Sequence, residues 1–575
     1  MVKKNDEYIV TIEDMGSEGE GVGKVDGYTV FVKDALPGEE ARIKITKAGK
    51  NFGYGRLMEV ITPSEYRVEP KCPIARKCGG CQIQEMSYEA QLAFKEKKVQ
   101  NNLERIGKIP PSEYEMCTII GMEEPYNYRN KAQYPVGLDK DGNIVMGFYA
   151  GRTHSIIPCE DCAIGDKINS KILAIVKSHM EEFRIQPYNE ETHKGVVRHV
   201  LIRRGFTTNQ LMVCIIVNGS ELKSSTKLVE RLKNIEGMTS ISININKEKT
   251  NVIMGKTVID LYGEGYIEDY IGDVKFRISP LSFYQVNPVQ TKELYGKALE
   301  FAGLTGEETV WDMYCGVGTI SLFLAKAARK VYGVEIVPEA IDDARKNAKI
   351  NNIDNAEFFV GKAEEVVPKM YKEYGLGADV VVVDPPRKGC DEKLLETMIA
   401  MNPEKIVYVS CDSATLARDL EYLKAHGYGV QKVQPVDMFP HSVHVETVCL
   451  LSKLHEAKHH VNVILDMDEL DITSAETKAT YEEIKDYVLE KHGLQVTNLY
   501  IAQVKRKCGI IERDNYNIRK ATRRMDYLQG DSTSAANIEN DNSQGKSQKE
   551  DAKQPQCPED KEKAIRDALE HFGMV

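Results

Sequence analysis

The chain has 575 residues, 42% of them hydrophobic and 28% charged, with a formal net charge of −11. That length is more than one hydrophobic core supports, so several domains are expected, and the acidic balance excludes nucleic-acid binding by bulk charge; any such contact needs local basic patches. No apolar run approaches bilayer length, the charged start "MVKKNDEYIV" lacks a signal-peptide core, and the thirteen cysteines are unevenly spaced, which together predict a soluble cytoplasmic protein with thiols kept reduced and no membrane partner.

In chain order, Tyr8 to about Ile61 runs in short β-branched stretches, "YIVTIEDMG", "YTVFVKDAL" and "ARIKITKAG", broken by Gly and Asp turns. This predicts a small β-barrel as a first domain over 1–62. The domain holds 9 Lys and Arg against 11 Asp and Glu, so polyanion contact there falls to a face such as "KITKAGKNFGYGR", or that stretch is only a solvated turn. A Pro-rich joint, "TPSEYRVEPKCP", opens a second, β-rich domain over 63–280. Its "CPIARKCGGC" supplies Cys72, Cys78 and Cys81, and "IIPCEDCAIG" supplies Cys162, with Cys159 three residues earlier. Four thiolates can hold zinc or a 4Fe-4S cluster, and three clustered thiols with one distant thiol suit the cubane better than the two close pairs usual for zinc. Apolar positions in "SYEAQLAFKEKKVQNNLERIG" recur at helical spacing, and a helical part near 85–125 is expected to pack with the later domain. From Gly137 to about Asp273 the pattern is mostly strands and turns, including "VRHVLIRR" and "NQLMVCIIVN".

Over a third domain, 281–453, strands alternate with helices: "TVWDMYCG", "KVYGVEI", "ADVVVVDPP", "KIVYVSC". That rhythm predicts a Rossmann-like, doubly wound parallel sheet, so the fold class is multidomain α/β. In "VWDMYCGVGTISLFLAKAA" a strand ends in a Gly turn before a helix, which lets backbone N–H groups face a ligand. Glu335 ends the next strand 23 residues beyond Asp312, the distance at which a carboxylate reaches ribose hydroxyls. This pattern leaves a dinucleotide and S-adenosylmethionine both open, although Ser321 in place of the third fingerprint glycine weakens the first. Asp384 before two prolines, Cys411 at the end of the following strand, and His444 and Glu446 at the start of another then converge on one sheet edge. A strand end before a helix start favours a thiolate, so Cys411 reads as a nucleophile rather than a packed thiol. The last segment, 454–575, is an accessory extension with a polar, disordered stretch near 528–556. Its Ala502 to Tyr527 holds eight Lys and Arg against three acids and reads as an RNA-contacting arm or a protein-docking surface, while Cys508 and Cys557 read as plain thiols.

"CGVGT", "DPPR", "SCDSATLARDL" and "DMFPHSVHVETV", in this order, resemble the RNA uracil-5-methyltransferase family, and the resemblance covers roughly 1–453. It implies transfer of a methyl group from S-adenosylmethionine to carbon 5 of uridine. Cys411 matches the nucleophile that adds to carbon 6 and Glu446 the base that removes the hydrogen left on carbon 5. It further implies that Gln285, Tyr314, Glu335 and Asp384 bind the cofactor, and that Phe283 in "PLSFYQVNP" offers a ring to a flipped base. Arg129 and Lys131 in "YNYRNKAQYP", and Arg198, Arg203 and Arg204, match family stretches expected to contact RNA. The barrel resembles a TRAM domain, which implies an oligonucleotide-binding-like character, and Cys72, Cys78, Cys81 and Cys162 match the 4Fe-4S ligands of the ribosomal-RNA branch, which favours a uridine of 23S ribosomal RNA as target and a monomeric enzyme. The alternatives are 5-methyluridine formation in transfer RNA, methylation of a ring nitrogen, and an iron-sulfur RNA-binding protein with an inactive methyltransferase domain.

Overall fold

The computed structural model describes residues 2–151, 153, 155–159, 161–454, 481–508 and 557–572. The chain divides into two compact units, 1–458 and 459–575. Among the described residues no helix is long and apolar enough to cross a membrane.

The first unit begins with the expected barrel. Strands β1 (Glu7–Met15), β2 (Gly21–Val25), β3 (Tyr28–Lys33), β4 (Glu40–Ala48) and β5 (Phe52–Thr62) close in the order β1-β2-β3-β5-β4. Alternate residues point inward, so Val10, Ile12, Val30, Val32, Ile43 and Ile45 form its core. The β1–β2 turn passes Gly19 at φ +85°, where an added Cβ would stand 2.8 Å from Val443 and 2.9 Å from Ile83. Only glycine fits a left-handed turn pressed that closely against another segment.

Helix α1 (Tyr88–Arg105) starts on Ser87, whose hydroxyl accepts from the Ala90 amide, and buries Gln91, Lys95, Val99 and Leu103 at four-residue spacing. Its Val99 and Leu103 share a core with Leu416 and Leu420 of α9 (Ser413–Ala425). A buried lysine needs a partner. Lys95 Nζ lies 2.5 Å from Asp437 Oδ1 and donates to the Phe439 carbonyl at 3.0 Å, while Tyr88 donates to Asp437 at 2.9 Å. The helix thereby pins residues 437–439, which lead into the site.

A seven-stranded sheet follows, in the order β13-β12-β11-β10-β7-β8-β9, from β7 (Lys131–Leu138), β8 (Ile144–Tyr149), β9 (Ile156–Pro158), β10 (Val197–Arg204), β11 (Leu211–Val217), β12 (Met238–Ile245) and β13 (Thr257–Tyr262). The strand reading missed two helices here, α2 (Ile168–Glu182) and α3 (Ser225–Leu232). Buried Ile172, Leu173, Val176 and Met180 carry the helical period of α2 within a stretch that also suits strands. The hairpin β14 (Ile267–Ile271) and β15 (Val274–Ile278) buries Phe276 and Ile278 in the core of the last sheet.

That sheet runs β18-β17-β16-β19-β20-β22-β21-β6. Its members are β6 (Glu115–Met116), β16 (Thr309–Asp312), β17 (Lys330–Glu335), β18 (Ala356–Val360), β19 (Val380–Val383), β20 (Lys405–Ser410), β21 (Tyr428–Val436) and β22 (Glu446–Lys453). The five strands from β16 to β20 pair in parallel and β22 is antiparallel to β20. The order reverses at β16, so a crevice opens at the carboxyl ends of β16 and β19, where open α/β sheets take ligands.

In the second unit, helices Tyr481–His492, Asn498–Lys507 and Glu559–His571 bury Ile484, Val488, Ile501, Val504, Ile565 and Leu569. Cys508 and Cys557 pack against this cluster. The basic stretch expected over 502–527 is described only to Cys508, and the disordered stretch expected near 528–556 lies outside the described residues.

Candidate active site

Strand register brings the reacting groups together. Ser410 of β20 pairs with Thr447 of β22, so Cys411 emerges from the sheet edge opposite Glu446. Val383 of β19 pairs with Tyr408, and Asp384 therefore leaves the sheet one strand away. All three line a cleft of about 1780 Å³ that Phe283, Gln285, Tyr314 and Glu335 also line. Gly316 lies on its floor at φ +54° with open space where a Cβ would stand, which leaves the backbone bare to a ligand. The Glu335 carboxylate accepts from the Val337 amide at 3.0 Å, which orients it at the rim. The Phe283 ring is 69% exposed, so it is presented to the cleft rather than packed in the core. Its loop is held from the central sheet: Arg203 donates to the Ser282 carbonyl at 2.5 Å and Asn130 to the Gln285 carbonyl at 2.9 Å.

Electrostatics in the cleft differ from the sequence expectation at one point. Burial, then the fields of Glu446 and Asp384, push the Cys411 thiol up to about 12, with Arg387 opposing them. The thiolate expected from a helix start is not favoured in this arrangement. Asp412 takes the N-cap of α9, accepting from the Ala414 and Thr415 amides, and its charge occupies the end of the helix dipole. Burial, reinforced by Asp384, raises Glu446 to about 8, and burial together with Asp312 raises Asp384 to about 7. Two like charges so close and so dry share protons rather than both ionise. His444, also on the cleft wall, is held neutral: burial, then Arg387 and Lys98, lower it to about 4.

The basic residues expected to meet RNA have other surroundings. Arg198 is buried and donates to the carbonyls of Asn246, Glu248 and Thr250, and Arg203 is buried beneath the Phe283 loop. Arg204 pairs with Asp166 at 2.6 Å. The contact role expected for Arg198 and Arg203 is corrected: both are buried and hold the fold, because β10 lies inside the central sheet with both neighbours paired, whereas Arg204 at the strand end stays partly exposed. Arg129 and Lys131 do not line the cleft. Arg129 acts on the thiols of Cys78, Cys81 and Cys162, and burial beside Arg203 lowers Lys131 to about 7. Arg387, whose field reaches Cys411 and Glu446, and Lys98, whose field reaches His444, were not among the expected site residues; the sole sequence signal was the position of Arg387 in "DPPR".

The expected cysteines gather away from the cleft. Burial, with the charge of Cys162 added to it, raises the thiols of Cys72, Cys78 and Cys81, and the Cys162 thiol is itself lowered to about 6, chiefly by a hydrogen bond from Cys159. Four thiols from distant stretches, with a guanidinium beside them, make a donor set that suits a 4Fe-4S cluster in its chemistry. Among the described residues no group of three or more His, Cys, Asp or Glu stands at metal-holding distances.

Comparison with known proteins gives concordant matches. The model of the tRNA (Uracil-5-)-methyltransferase family matches residues 87–454, and that of the TRAM domain matches residues 2–58. A protein of Clostridium tetani described as an uncharacterized RNA methyltransferase is 52% identical over 458 residues, 80% of this chain and 98% of its own length. One of Halalkalibacterium halodurans with the same description is 53% identical over 451 residues, 78% of this chain and 98% of its own. Among solved structures, the Pyrococcus abyssi tRNA (uracil-54, C5)-methyltransferase in complex with S-adenosyl-L-homocysteine superposes with a TM-score of 0.63 at 30% identity, over 77% of this chain and 99% of that one.

Proposed function

The chain belongs to the tRNA (Uracil-5-)-methyltransferase family, with an N-terminal TRAM domain, and from that premise we propose that it methylates carbon 5 of a uridine in 23S ribosomal RNA. The observation that carries the chemistry is the meeting of Cys411, Glu446 and Asp384 in one cleft with Gln285, Tyr314 and Glu335. Gln285, Tyr314, Glu335 and the bare turn at Gly316 would hold S-adenosylmethionine, which would supply an electrophilic methyl group on a cationic sulfur. Carbon 5 of uracil is too weak a nucleophile to take that methyl unaided. Cys411 gives its proton to Asp384, whose charge faces it, and Sγ adds to carbon 6; carbon 5 becomes enolate-like and takes the methyl group, with S-adenosylhomocysteine as the leaving product. After methylation Glu446, as carboxylate, removes the hydrogen left on carbon 5, and the thiolate leaves as the ring double bond re-forms. Asp384 keeps the proton inventory of this pocket adjustable, since its charge and that of Glu446 oppose each other. A target base meets both groups only when it is out of its stack, and exposed Phe283 offers the ring on which a neighbouring base can rest.

The four thiols of Cys72, Cys78, Cys81 and Cys162 would hold a 4Fe-4S cluster that ties the joint after the barrel to the central sheet. No electron is required for methyl transfer, so such a cluster would serve as a structural staple or as an RNA-contacting element. The cysteine set and the barrel favour ribosomal RNA. The likeness to a tRNA (uracil-54, C5)-methyltransferase supports a second reading with transfer RNA as substrate. Mapping 5-methyluridine in both RNAs from cells lacking the protein separates the two. For the chemistry, RNA carrying 5-fluorouridine should form a denaturation-stable adduct with the enzyme that Cys411→Ala abolishes; no adduct with the unaltered enzyme refutes the covalent route.

A further inference from the structure

Arg387 and His444 line the cleft and Lys98 lies within reach of His444, and among the described residues none of the three is in an ion pair. Arg387 is exposed on the rim, on a loop stiffened by Pro385 and Pro386 and held by Arg418, which donates to the Lys388 carbonyl at 2.9 Å. His444 lines the same wall, edge-on to Phe439 at 6.3 Å. Lys98, from α1, donates to the Val443 carbonyl at 3.1 Å and to the Ser17 carbonyl of the barrel turn at 3.0 Å, which fixes its ammonium beside His444. Among the described residues no carboxylate lies within ion-pair distance of Arg387 or Lys98. The acids whose fields reach Lys98 are Glu18, exposed on the barrel turn, and Asp412, committed to the α9 cap.

Three elements distant in sequence thus bring these groups within electrostatic reach of one another, with Arg387 and His444 on the cleft that also holds Cys411. Arg387 and Lys98 repel each other and neither is in an ion pair among the described residues, so an anion arriving at the rim is favoured. We propose that Arg387, Lys98 and His444 seat a phosphodiester of the RNA strand at the rim, gripping a phosphate that flanks the target uridine. This rests on the proposed RNA methylation and names how that substrate is held. A flipped nucleotide turns about its own backbone, so its flanking phosphates remain at the mouth while the base descends to Cys411. Arg387 gives the fork that suits phosphate oxygens, Lys98 a fixed charge, and His444 a neutral N–H.

The test uses the full-length enzyme and an oligonucleotide containing the mapped uridine, with the phosphate on its 5′ or 3′ side replaced by an uncharged methylphosphonate. One of the two replacements should raise KM roughly 10- to 100-fold, the range for losing a hydrogen bond to a charged group. Arg387→Ala should raise KM for the unmodified RNA by a similar factor and lower its salt dependence by about one phosphate contact, with cofactor affinity within a few fold; a fall in kcat accompanies it, because the Arg387 charge also opposes the raised values of Cys411 and Glu446. Combining variant and replacement should add little, because both remove the same contact. Arg387→Lys should fall between. The proposal is overturned if the two losses multiply, if neither replacement matters, or if kcat falls instead of KM rising, since that places Arg387 on the thiol rather than on phosphate. Arg387→Ala should still form the 5-fluorouridine adduct at saturating RNA. Absence of that adduct from the unaltered enzyme would instead refute the methylation chemistry itself.

Discussion

Replacing Glu446 by Gln keeps the shape of the side chain and removes the base. Glu446 is raised to about 8, chiefly by burial, so at pH 7 about one-tenth of it is carboxylate and able to take the carbon-5 hydrogen. The groups that face it are Asp384, whose charge raises it further, Arg387, which opposes, and the Cys411 thiol. Breakdown of the methylated adduct should therefore quicken with pH, about tenfold per unit, until it levels near pH 8. Loss of a positioned base costs about 10²- to 10⁴-fold, or about 3–5 kcal/mol of barrier. The methyl is transferred before that base acts. Glu446→Gln should thus accumulate a denaturation-stable, methylated protein–RNA adduct whose release is slower by that factor and flat with pH. Single-turnover reactions with methyl-labelled cofactor, quenched in denaturant and resolved by gel, read both quantities. Release within tenfold of the unaltered enzyme, or an unchanged pH profile, refutes the assignment of Glu446.

Asp384 should show the cost of that pocket in stability. Its folded-state value, about 7, lies above the roughly 3.9 of a free carboxyl, so ionisation opposes folding and the penalty grows as pH rises between the two. Asp384→Asn should lose activity while its melting temperature rises relative to the parent, by more at pH 8 than at pH 4; an equal offset at both argues that the carboxyl is not perturbed. Lys95→Met leaves Asp437 buried without its cation and should cost about 3–5 kcal/mol in denaturant unfolding, whereas an exposed pair such as Lys97–Asp14 should cost under about 1 kcal/mol when broken. The purified protein should be brown, with visible absorbance lost on chelation and in Cys81→Ser. A colourless, zinc-loaded protein removes the iron-sulfur assignment.

Cys508 and Cys557 illustrate how composition alone leaves a thiol's role open: read as plain thiols, they pack against the small helical core of the second unit. The helical stretch after the cysteines was legible because its apolar positions repeat locally, yet its reason for carrying a lysine in that stripe was not. Lys95 is explained only by Asp437, 342 residues away in sequence.

The barrel, the alternating strands and helices, and the short motifs that end those strands are legible in the chain's local pattern, because each depends on residues within a few positions of one another. That pattern also placed Cys411 and Glu446 at strand ends. Only the tertiary structure decided that they face each other across the β20–β22 register, that burial holds the thiol protonated, and that Arg198 and Arg203 are spent on backbone carbonyls. The same holds for the meeting of Lys98, Arg387 and His444, which come from three elements of the chain. Solvent exclusion and long-range pairing set the charge state and availability of a side chain, and neither is a property of its neighbours in sequence.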